Sequence, residues 1–308
     1  MTVQDTRVRP FDEAALQEAA ALIRAGQPVA VPTETVYGLA ADASDGEAVA
    51  RIYAAKGRPS FNPLIVHVPD RAAAERIGAF DERARLLAQR YWPGPLTLVV
   101  PLRPGAPIAS LVTAGLPTVA LRVPAHPVMQ ALLTALERPL AAPSANASGR
   151  ISPTRAEHVL ASLGGRIPLI LDSGPTERGL ESTIVAVGER GLRLLRPGPI
   201  EVAGAAGGVG GAIEAPGMLA SHYAPTKPLR LDAERSRAGE WLIGFGKVAG
   251  HDNLSATGTL EEAAANLFAA LHRADAQAVD AIAIAPVPDQ GLGLAINDRL
   301  RRAAADRE

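Results

Sequence analysis

Short apolar runs recur along the chain, and this recurrence constrains the fold more than any other feature of the sequence. In the first two-thirds of the chain the runs are PVAVP, PLIVHV, PLTLVV, TVALRV, PLAAP, PLILD, STIVAV and LRLLR. Each has the usual length of a β-strand. Helical patterns separate some of them, at residues 11–26, 45–57, Asp81–Tyr91, Val128–Leu136 and Thr154–Leu163. This irregular alternation predicts an α/β domain with a mixed sheet rather than a regular doubly wound one.

A glycine-rich segment follows this first unit. Ala203–Ala212, AGAAGGVGGA, forms regular structure only at a high entropic cost, and the proline-punctuated EAPGMLASHYAPTKP comes after it. Beyond these segments, PLRL, WLIGFG and DAIAIA predict strands, and TLEEAAANLFAALHRA and AINDRLRRAAA predict helices. We therefore predict a first domain over residues 1–205, a linker over 206–228 and a smaller α/β domain over 229–308.

Composition narrows the class of protein. A length of 308 residues suggests two domains, and 47% hydrophobic residues can bury a substantial core. A formal charge of -1 gives no general attraction to nucleic acid or membranes. The absence of cysteine excludes disulfides, a thiolate nucleophile and Cys-ligated metal. The N-terminus lacks the apolar region of a signal peptide, and no run approaches 18 apolar residues, so we expect a cytoplasmic protein without membrane contact.

Several familiar signatures are missing or weak. The chain has no Gly-x-x-x-x-Gly-Lys-Ser/Thr loop, so a Walker-type site is not expected. The segment Gly244–Ala249 loosely resembles a dinucleotide fingerprint, but GHDNLSATG follows it and does not predict a helix. The six histidines contain no pair at the i, i+4 spacing of a zinc site. No protein-held metal site is therefore predicted.

The stretch from Pro32 to Pro63 is the first candidate for binding chemistry. Hydroxyls, Lys56, Arg58 and an asparagine locked by a following proline come after a strand-like run. Hydroxyl and amide groups bind small polar ligands, and the two cations suit a phosphate. A strand, a helix and a solvated basic turn would explain this stretch equally well if it stood alone.

Later loops repeat this chemistry. Arg122 lies inside an otherwise apolar run, where a guanidinium needs either a bound anion or a protein carboxylate as partner, and both remain open. The loop APSANASGR is small and polar, which allows a phosphate or ribose to approach the backbone. Arg196 closes one predicted strand, and Ser182 opens another.

Together, five separated loops supply positive charge and hydrogen-bonding groups. They contribute Lys56, Arg58, Arg122, Arg150 and Arg196, beside Thr33, Thr35, Ser144, Asn146 and Ser182. No nucleophile–base pair accompanies them. Such a site suits adenylation, in which an oxyanion attacks the α-phosphate of ATP and diphosphate leaves. Positioning and charge stabilisation dominate that reaction, and Mg²⁺ usually assists.

Seven motifs now show a family resemblance. VPTETVYGLA, AKGRPSFNPLIVHV, YWPGPLTLVV, VALRVPAHP, APSANASGRISPT, ESTIV and LRPGPI occur in the order typical of the Sua5/YrdC family of L-threonylcarbamoyladenylate synthases, which the chain resembles over roughly residues 12–200. APGMLASHYAP and GLGLAINDRLRRAA look like the linker and extra domain of the longer Sua5 branch. The resemblance implies a twisted mixed sheet around a basic cavity, followed by a Rossmann-like C-terminal domain.

The resemblance also implies a reaction. L-threonine, bicarbonate and ATP, with Mg²⁺, would give threonylcarbamoyl-AMP and diphosphate. Downstream tRNA-modifying enzymes would then transfer the threonylcarbamoyl group to N6 of adenosine 37 in tRNAs that read codons beginning with A.

Site roles carry over by position. The catalytic pair implied by the family is Lys56 and Arg58. The threonine-contacting positions are Thr35, His67, Arg122, Ala142 and Ser182. The nucleotide-contacting positions are Arg58, Asn62, Thr118, Ser144, Asn146, Ser152, Arg196 and Tyr223.

Alternatives remain at this level. A non-catalytic RNA-binding module of the same fold is one, although 4% aromatic residues offer few platforms for stacking bases, and a weak RNA contact is left open. Another adenylating enzyme with a different amine is a second. His67 would by default be a core histidine, and Tyr223 is either a lid over the nucleotide or a packed linker aromatic.

Overall fold

Two β-sheets organise the protein in a computed structural model, which describes residues 5–189, 191–207, 214–218 and 221–305. The strands of the first sheet are β1 (Arg7–Pro10), β2 (Val29–Val31), β3 (Gly38–Asp42), β4 (Ile65–His67), β5 (Leu96–Pro101), β6 (Thr118–Arg122), β7 (Leu140–Ala141), β8 (Leu169–Asp172), β9 (Thr183–Gly188), β10 (Gly191–Arg196) and β11 (Ala206–Gly207). Its helices are α1 (Glu13–Arg24), α2 (Gly46–Lys56), α3 (Arg71–Ile77), α4 (Glu82–Tyr91), α5 (Ser110–Thr113), α6 (Pro127–Leu136) and α7 (Ala156–Leu163).

The first sheet is mixed. Over the described residues its order is β1-β8-β2-β3-β7-β4-β6-β5-β9-β10-β11. Parallel pairs such as β4 with β6 alternate irregularly with antiparallel pairs such as β5 with β6. The predicted mixed α/β fold is confirmed.

The second sheet is smaller and parallel. Its strands are β12 (Leu229–Arg230), β13 (Glu240–Gly244), β14 (Asp252–Asn253) and β15 (Ala281–Ile284), and its helices are α8 (Leu260–Asp275) and α9 (Leu292–Ala304). The order is β12-β15-β13-β14, and each of these pairs is parallel. Parallel strands need crossover connections, which α8 supplies between β14 and β15. The predicted smaller α/β domain is confirmed.

Local capping fixes the helix that precedes the first cations. Asp45 accepts hydrogen bonds from the backbone N–H groups of Glu47 and Ala48 at the start of α2. Gly57 ends the helix with φ 61°, a left-handed conformation that favours glycine. Lys56 therefore stays on the last turn of the helix, and Arg58 begins the loop.

Several elements differ from the sequence prediction. α1 is shorter than the predicted 11–26 helix, because Asp12 acts as its N-cap. β3, GLAAD, was not predicted, since its small residues lack the β-branched signal although all five are buried. Ala206–Gly207 pairs with β10 despite its glycine-rich surroundings. The domain limits at 205/206 and 228/229 stay predictions, and residues 208–213 and 219–220 of the linker lie outside the described residues.

A shared hydrophobic cluster joins the two units. Val36 and Leu180 of the first unit and Tyr223 of the linker pack with residues of the second sheet and its helices, among them Phe268. Tyr223 and Phe268 lie with ring centroids 5.6 Å apart. Among the helices described, none is both long and apolar enough to cross a bilayer.

Candidate active site

One cavity collects most of the predicted site residues. It lies where the loop after β2, the ends of β4, β6 and β10, and the loop after β7 meet. The predicted residues that line it are Thr33, Thr35, Arg58, His67, Arg122, Ala142, Ser144, Ser182, Arg196 and Tyr223. Segments up to about 190 positions apart in sequence thus form one wall.

Strand register places the histidine beside an arginine. His67 is the last residue of β4 and pairs with Arg122, the last residue of β6. In parallel strands, paired residues point to the same face, here toward the cavity. The His67 Nδ1 atom is buried and has no hydrogen-bond partner among the described residues. His67 therefore presents an unsatisfied polar atom in the cavity wall, which a core residue usually would not.

Arg122 is held on three sides and is only 3% exposed. Its Nε donates to the Gly94 carbonyl at 3.2 Å, and Nη1 donates to Thr35 Oγ1 at 2.9 Å. Its Nη2 lies 2.6 Å from Oε1 of Glu34, a buried carboxylate. A guanidinium has five N–H groups, so about two remain for a ligand carboxylate. Of the two partners left open by the sequence, the protein supplies the carboxylate and still leaves room for an anion.

Ser182 and Arg196 form the next part of the wall. Arg196 Nε donates to the Ser182 carbonyl at 3.0 Å, and its Nη2 donates to Ser182 Oγ at 3.1 Å. The Ser182 hydroxyl also lies 2.7 Å from Thr97 Oγ1. These contacts lock both side chains in one geometry at the start of β9 and the end of β10.

The Lys56 ammonium lies beneath the loop that follows β7. It donates to the carbonyls of Ser144, at 2.5 Å, and Asn146, and the residue is only 2% exposed. The Arg58 side chain lines the cavity and donates to the carbonyls of Asn62 and Pro63 at 3.2 and 3.0 Å. Lys56 thus shapes the backbone of the cavity wall, and Arg58 faces the cavity itself.

The linker closes one side of the cavity. His222 and Tyr223 both line it, and Tyr223 is 1% exposed with φ 64°, an unusual value for a bulky residue. The Ala224 N–H donates to the Gly149 carbonyl at 2.8 Å, which ties the linker to the loop after β7. At Gly217 (φ 81°) a Cβ would lie 2.6 Å from the Tyr223 hydroxyl, so a side chain there would displace the tyrosine.

Burial and like charge shift the titration of these groups. Burial, then Arg122, lowers the pKa of His67 to about 3, so its imidazole is neutral. Burial lowers the pKa of Arg58 to about 10. The pKa of Lys56 falls well below its usual value because the ammonium is buried and lies near the positive charge of Arg58. The pKa of His222 is lowered by burial and by the surrounding cations. A bound polyanion would relieve these costs, so the cavity is pre-organised for negative charge.

Six predicted residues do not line this cavity. They are Lys56, Asn62, Thr118, Asn146, Arg150 and Ser152. Asn146 is 1% exposed and donates to the carbonyls of Ala147 and Arg150, and the Ser152 hydroxyl donates to Glu181. Thr118 begins β6 and is half-buried. Arg150 is exposed.

Sequence reasoning missed three groups at or beside the cavity. His222 precedes Tyr223 in the linker motif APGMLASHYAP, and Glu181 begins the motif ESTIV. Both residues line the cavity. Glu34, in PTET, faces Arg122. A buried arginine such as Arg122 needs a carboxylate partner, and this could have pointed to Glu34. The two residues lie 88 positions apart, so the sequence alone did not pair them.

The described residues offer no preformed metal cage. No group of three or more His, Cys, Asp or Glu side chains in that part of the chain could hold a metal ion. Glu181, the carboxylate in the cavity wall, is already bound by Ser152. A divalent ion would have to arrive on a ligand's phosphates, as Mg²⁺ commonly does.

Comparison with known proteins matches both parts of the chain. A family model described as "Telomere recombination" (Sua5_yciO_yrdC) matches residues 21–198, and one described as "Threonylcarbamoyl-AMP synthase, C-terminal domain" (Sua5_C) matches residues 193–305. The threonylcarbamoyl-AMP synthase of Bacillus subtilis is 42% identical, over 95% of this chain and 93% of that protein. The Pyrococcus abyssi synthase is 41% identical, over 96% of each. The crystal structure of P. abyssi Sua5 complexed with L-threonine matches with a TM-score of 0.88 and 38% identity, covering 98% of each chain.

Proposed function

Because the chain belongs to the Sua5/YrdC family of threonylcarbamoyl-AMP synthases, we propose that it makes threonylcarbamoyl-AMP and diphosphate from L-threonine, bicarbonate and ATP. This is an adenylyl transfer, so the protein acts as a nucleotidyltransferase. The observation that carries the proposal is the convergence of Arg58, Arg122 and Arg196 on one hydroxyl-lined cavity. Buried cations at that density suit a carboxylate beside a chain of phosphates.

We assign the threonine to the Arg122 side of the cavity. The free N–H groups of Arg122 suit a carboxylate, and the hydroxyls of Thr35 and Ser182 suit the polar groups of the amino acid. Ala142 leaves space for the side chain, and neutral His67 offers Nδ1 as a further partner. A site built to bond a hydroxyl rejects an analogue without it by up to about 10⁴-fold.

We assign the nucleotide to the Arg58 and Arg196 side. Both guanidinium groups are held by backbone carbonyls, which fixes their position before a ligand binds. Ser144 and Tyr223 complete this half, and Lys56 supports it from below. Roles for Asn62, Thr118, Asn146 and Ser152 in nucleotide binding stay part of the proposal.

The chemistry needs no side-chain nucleophile. The threonine amine first attacks the carbon of bicarbonate and a water molecule leaves, or it adds to carbon dioxide and loses a proton; either route gives the carbamate N-carboxythreonine. A carboxylate oxygen then forms a bond to the α-phosphorus of ATP, and the bond from that phosphorus to the departing diphosphate breaks. Arg58 and Arg196, with Lys56 behind the loop, stabilise the negative charge on the phosphates. Mg²⁺ entering on ATP would neutralise part of the phosphate charge.

The product explains the closed linker. Threonylcarbamoyl-AMP is a mixed anhydride that water hydrolyses, so closure of Tyr223 over the site protects it. We propose that downstream tRNA-modifying enzymes use it in the cytoplasm to modify N6 of adenosine 37. An RNA-binding module is a poorer account, because the cations are buried: Arg58 is 8% exposed and Arg196 4%. A weak RNA contact outside the cavity remains compatible with this function.

A direct assay tests the function. The purified protein should release diphosphate from ATP only when threonine and bicarbonate are both present. Lys56→Ala should lower the rate by roughly 100-fold, because the loop after β7 would lose the ammonium that holds its Ser144 and Asn146 carbonyls, and a small displacement of a site can cost that much. Lys247→Ala, which removes an exposed lysine of the second unit, is the matched control and should keep the wild-type rate. Release that does not depend on threonine, or that survives in Lys56→Ala, would refute the proposal.

A further inference from the structure

A fully buried arginine of the second unit reaches the wall of the active site. Arg299 lies on α9 and is 0% exposed. Its Nε donates to Glu181 Oε2 at 2.8 Å, and its Nη1 donates to Asp298 Oδ2 at 2.7 Å. Its Cζ lies 5.2 Å from the centroid of the Tyr223 ring. One guanidinium thus contacts a carboxylate of the first unit and the aromatic ring of the linker.

Burial of this charge is costly unless its partners compensate for it. An isolated buried guanidinium would be strongly destabilising, and replacing a buried ion pair by apolar residues often stabilises a protein. Stability alone is therefore a weak reason for this arrangement. The position of Glu181 in the cavity wall suggests a functional reason.

Glu181 poses an electrostatic problem for an anionic ligand. Its carboxylate lines a cavity that we assign to the phosphates of ATP, and its Oε1 accepts a hydrogen bond from Ser152. Burial by itself would raise the pKa of Glu181, but Arg299 and then Arg196 lower it below its usual value. The carboxylate is therefore ionised, and without Arg299 it would repel the phosphates at close range.

We propose that Arg299 is a positioning residue for adenylation, which neutralises Glu181 and holds the Tyr223 ring over the nucleotide. The second unit is then a structural component of the active site through this one side chain. The inference rests on the proposed function, since it assumes that ATP occupies the cavity. Arg299 itself lies behind Glu181 and Tyr223 and need not contact the substrates.

Two substitutions that differ in charge separate this role from simple support of the fold. Arg299→Met keeps the approximate length of the side chain and removes its charge, which leaves Glu181 unpaired. Arg299→Lys keeps the charge. We expect Arg299→Met to raise the KM for ATP at least about tenfold, with the KM for threonine changed less than about threefold. Arg299→Lys should stay within about threefold of wild type for both substrates.

The double variant is the decisive measurement. In Glu181→Gln/Arg299→Met the cavity wall carries no carboxylate at position 181, so the KM for ATP of this variant should return to within about threefold of that of Glu181→Gln alone. Arg230→Met, which breaks the Arg230–Glu240 pair within the second unit, is the control and should leave both KM values unchanged. All variants are measured as full chains by diphosphate release, with a melting temperature for each.

The outcomes distinguish the two levels of the proposal. If wild type shows no threonine-dependent release, the proposed function fails. If wild type is active and Arg299→Met is less stable but has an unchanged KM for ATP, Arg299 serves stability only and the inference is wrong. If Arg299→Met does not fold, Glu181→Gln, Arg299→Lys and the double variant still test the inference. A double variant with a KM for ATP well above that of Glu181→Gln would contradict charge neutralisation by Arg299.

Discussion

At the scale of single residues, Arg122 shows how one side chain can serve the fold and a ligand together. The sequence left two partners open for this buried guanidinium. Glu34 balances its charge from one side, and Thr35 and Gly94 fix its plane. These contacts leave about two N–H groups of the guanidinium unused, and these groups can bind a ligand carboxylate.

Replacement of Arg122 should therefore separate the two substrates. We expect Arg122→Ala to raise the KM for threonine by about 10- to 100-fold, the loss of a charge-assisted hydrogen-bond pair, with a much smaller effect on the KM for ATP. Steady-state diphosphate release at varied threonine and varied ATP gives both values.

Arg122→Lys serves as the control for charge. It keeps the positive charge but not the planar fork, so it should recover only part of the threonine affinity. Equal increases in the two KM values in Arg122→Ala would show that Arg122 does not bind the threonine carboxylate.

How far the site could be predicted depends on the residue. Thr35, Arg122 and Ser182 were found because hydroxyls or a cation beside an apolar run is a local signal. Glu34 and Arg299 were not found, because their significance lies in partners 88 and 118 positions away, and no local pattern encodes such distances. Lys56 was predicted to lie in the site but does not line the cavity; its donation to backbone carbonyls could not be inferred, since it depends on how the loop after β7 folds.

At the scale of elements, two helices from different units meet through a pair of imidazoles. His158 on α7 and His272 on α8 stack with ring centroids 3.9 Å apart. His272 Nε2 also lies 3.2 Å from the Ser152 carbonyl. Burial, then His272 with Arg155 and Arg273, lowers the pKa of His158 to about 3. Burial also lowers the pKa of His272 to about 4, although the Ser152 carbonyl and Asp275 oppose the shift.

This stack should make the stability sensitive to mild acid. Both histidines are neutral when folded and have pKa values near 6.5 when unfolded, so the unfolded state binds more protons as pH falls below about 6.5. The stabilisation is complete above that pH and is lost as pH falls toward about 4. For His272 alone we expect a loss of about 2 kcal/mol between pH 7 and pH 5.

Denaturant midpoints at pH 7 and pH 5 test this. His272→Gln cannot titrate, so its midpoint should change less between the two pH values than that of wild type. The expectation fails if His272→Gln and wild type lose the same stability on acidification.

The strands and helices were more predictable than the single contacts. Most runs with β-branched residues became strands, for instance β5 and β9, because local pattern and burial agree there. β1 was missed since its RVRP is charged and is recruited at the sheet edge by pairing with β8. The strand order could not be derived, because it is fixed by long-range pairing such as that of β5 with β9.

At the scale of the whole molecule, residues of both units and of the linker meet beside the cavity. Tyr223 packs against Phe268 and faces the cavity, and Arg299 binds Glu181. The linker therefore packs against both units at the edge of the cavity.

Removal of the second unit should therefore abolish catalysis even though the cavity residues remain. A chain that ends after Leu229 keeps Tyr223 but loses α8 and α9, and we expect its diphosphate release to fall by at least about 100-fold. Circular dichroism of the truncated chain gives the state of its fold. Full activity in the truncated chain would show that the second unit regulates or docks a partner instead.

The shared register of β4 and β6 has a consequence for changes in chain length. His67 and Arg122 face each other because residues alternate between the two sides of a strand. One inserted residue in either strand would swing its terminal side chain to the opposite side of the sheet, and two would carry it about 6.6 Å along the strand axis. Engineered or natural homologues can therefore exchange apolar side chains in these strands, but an insertion or deletion there would pull apart the two groups that we assign to threonine.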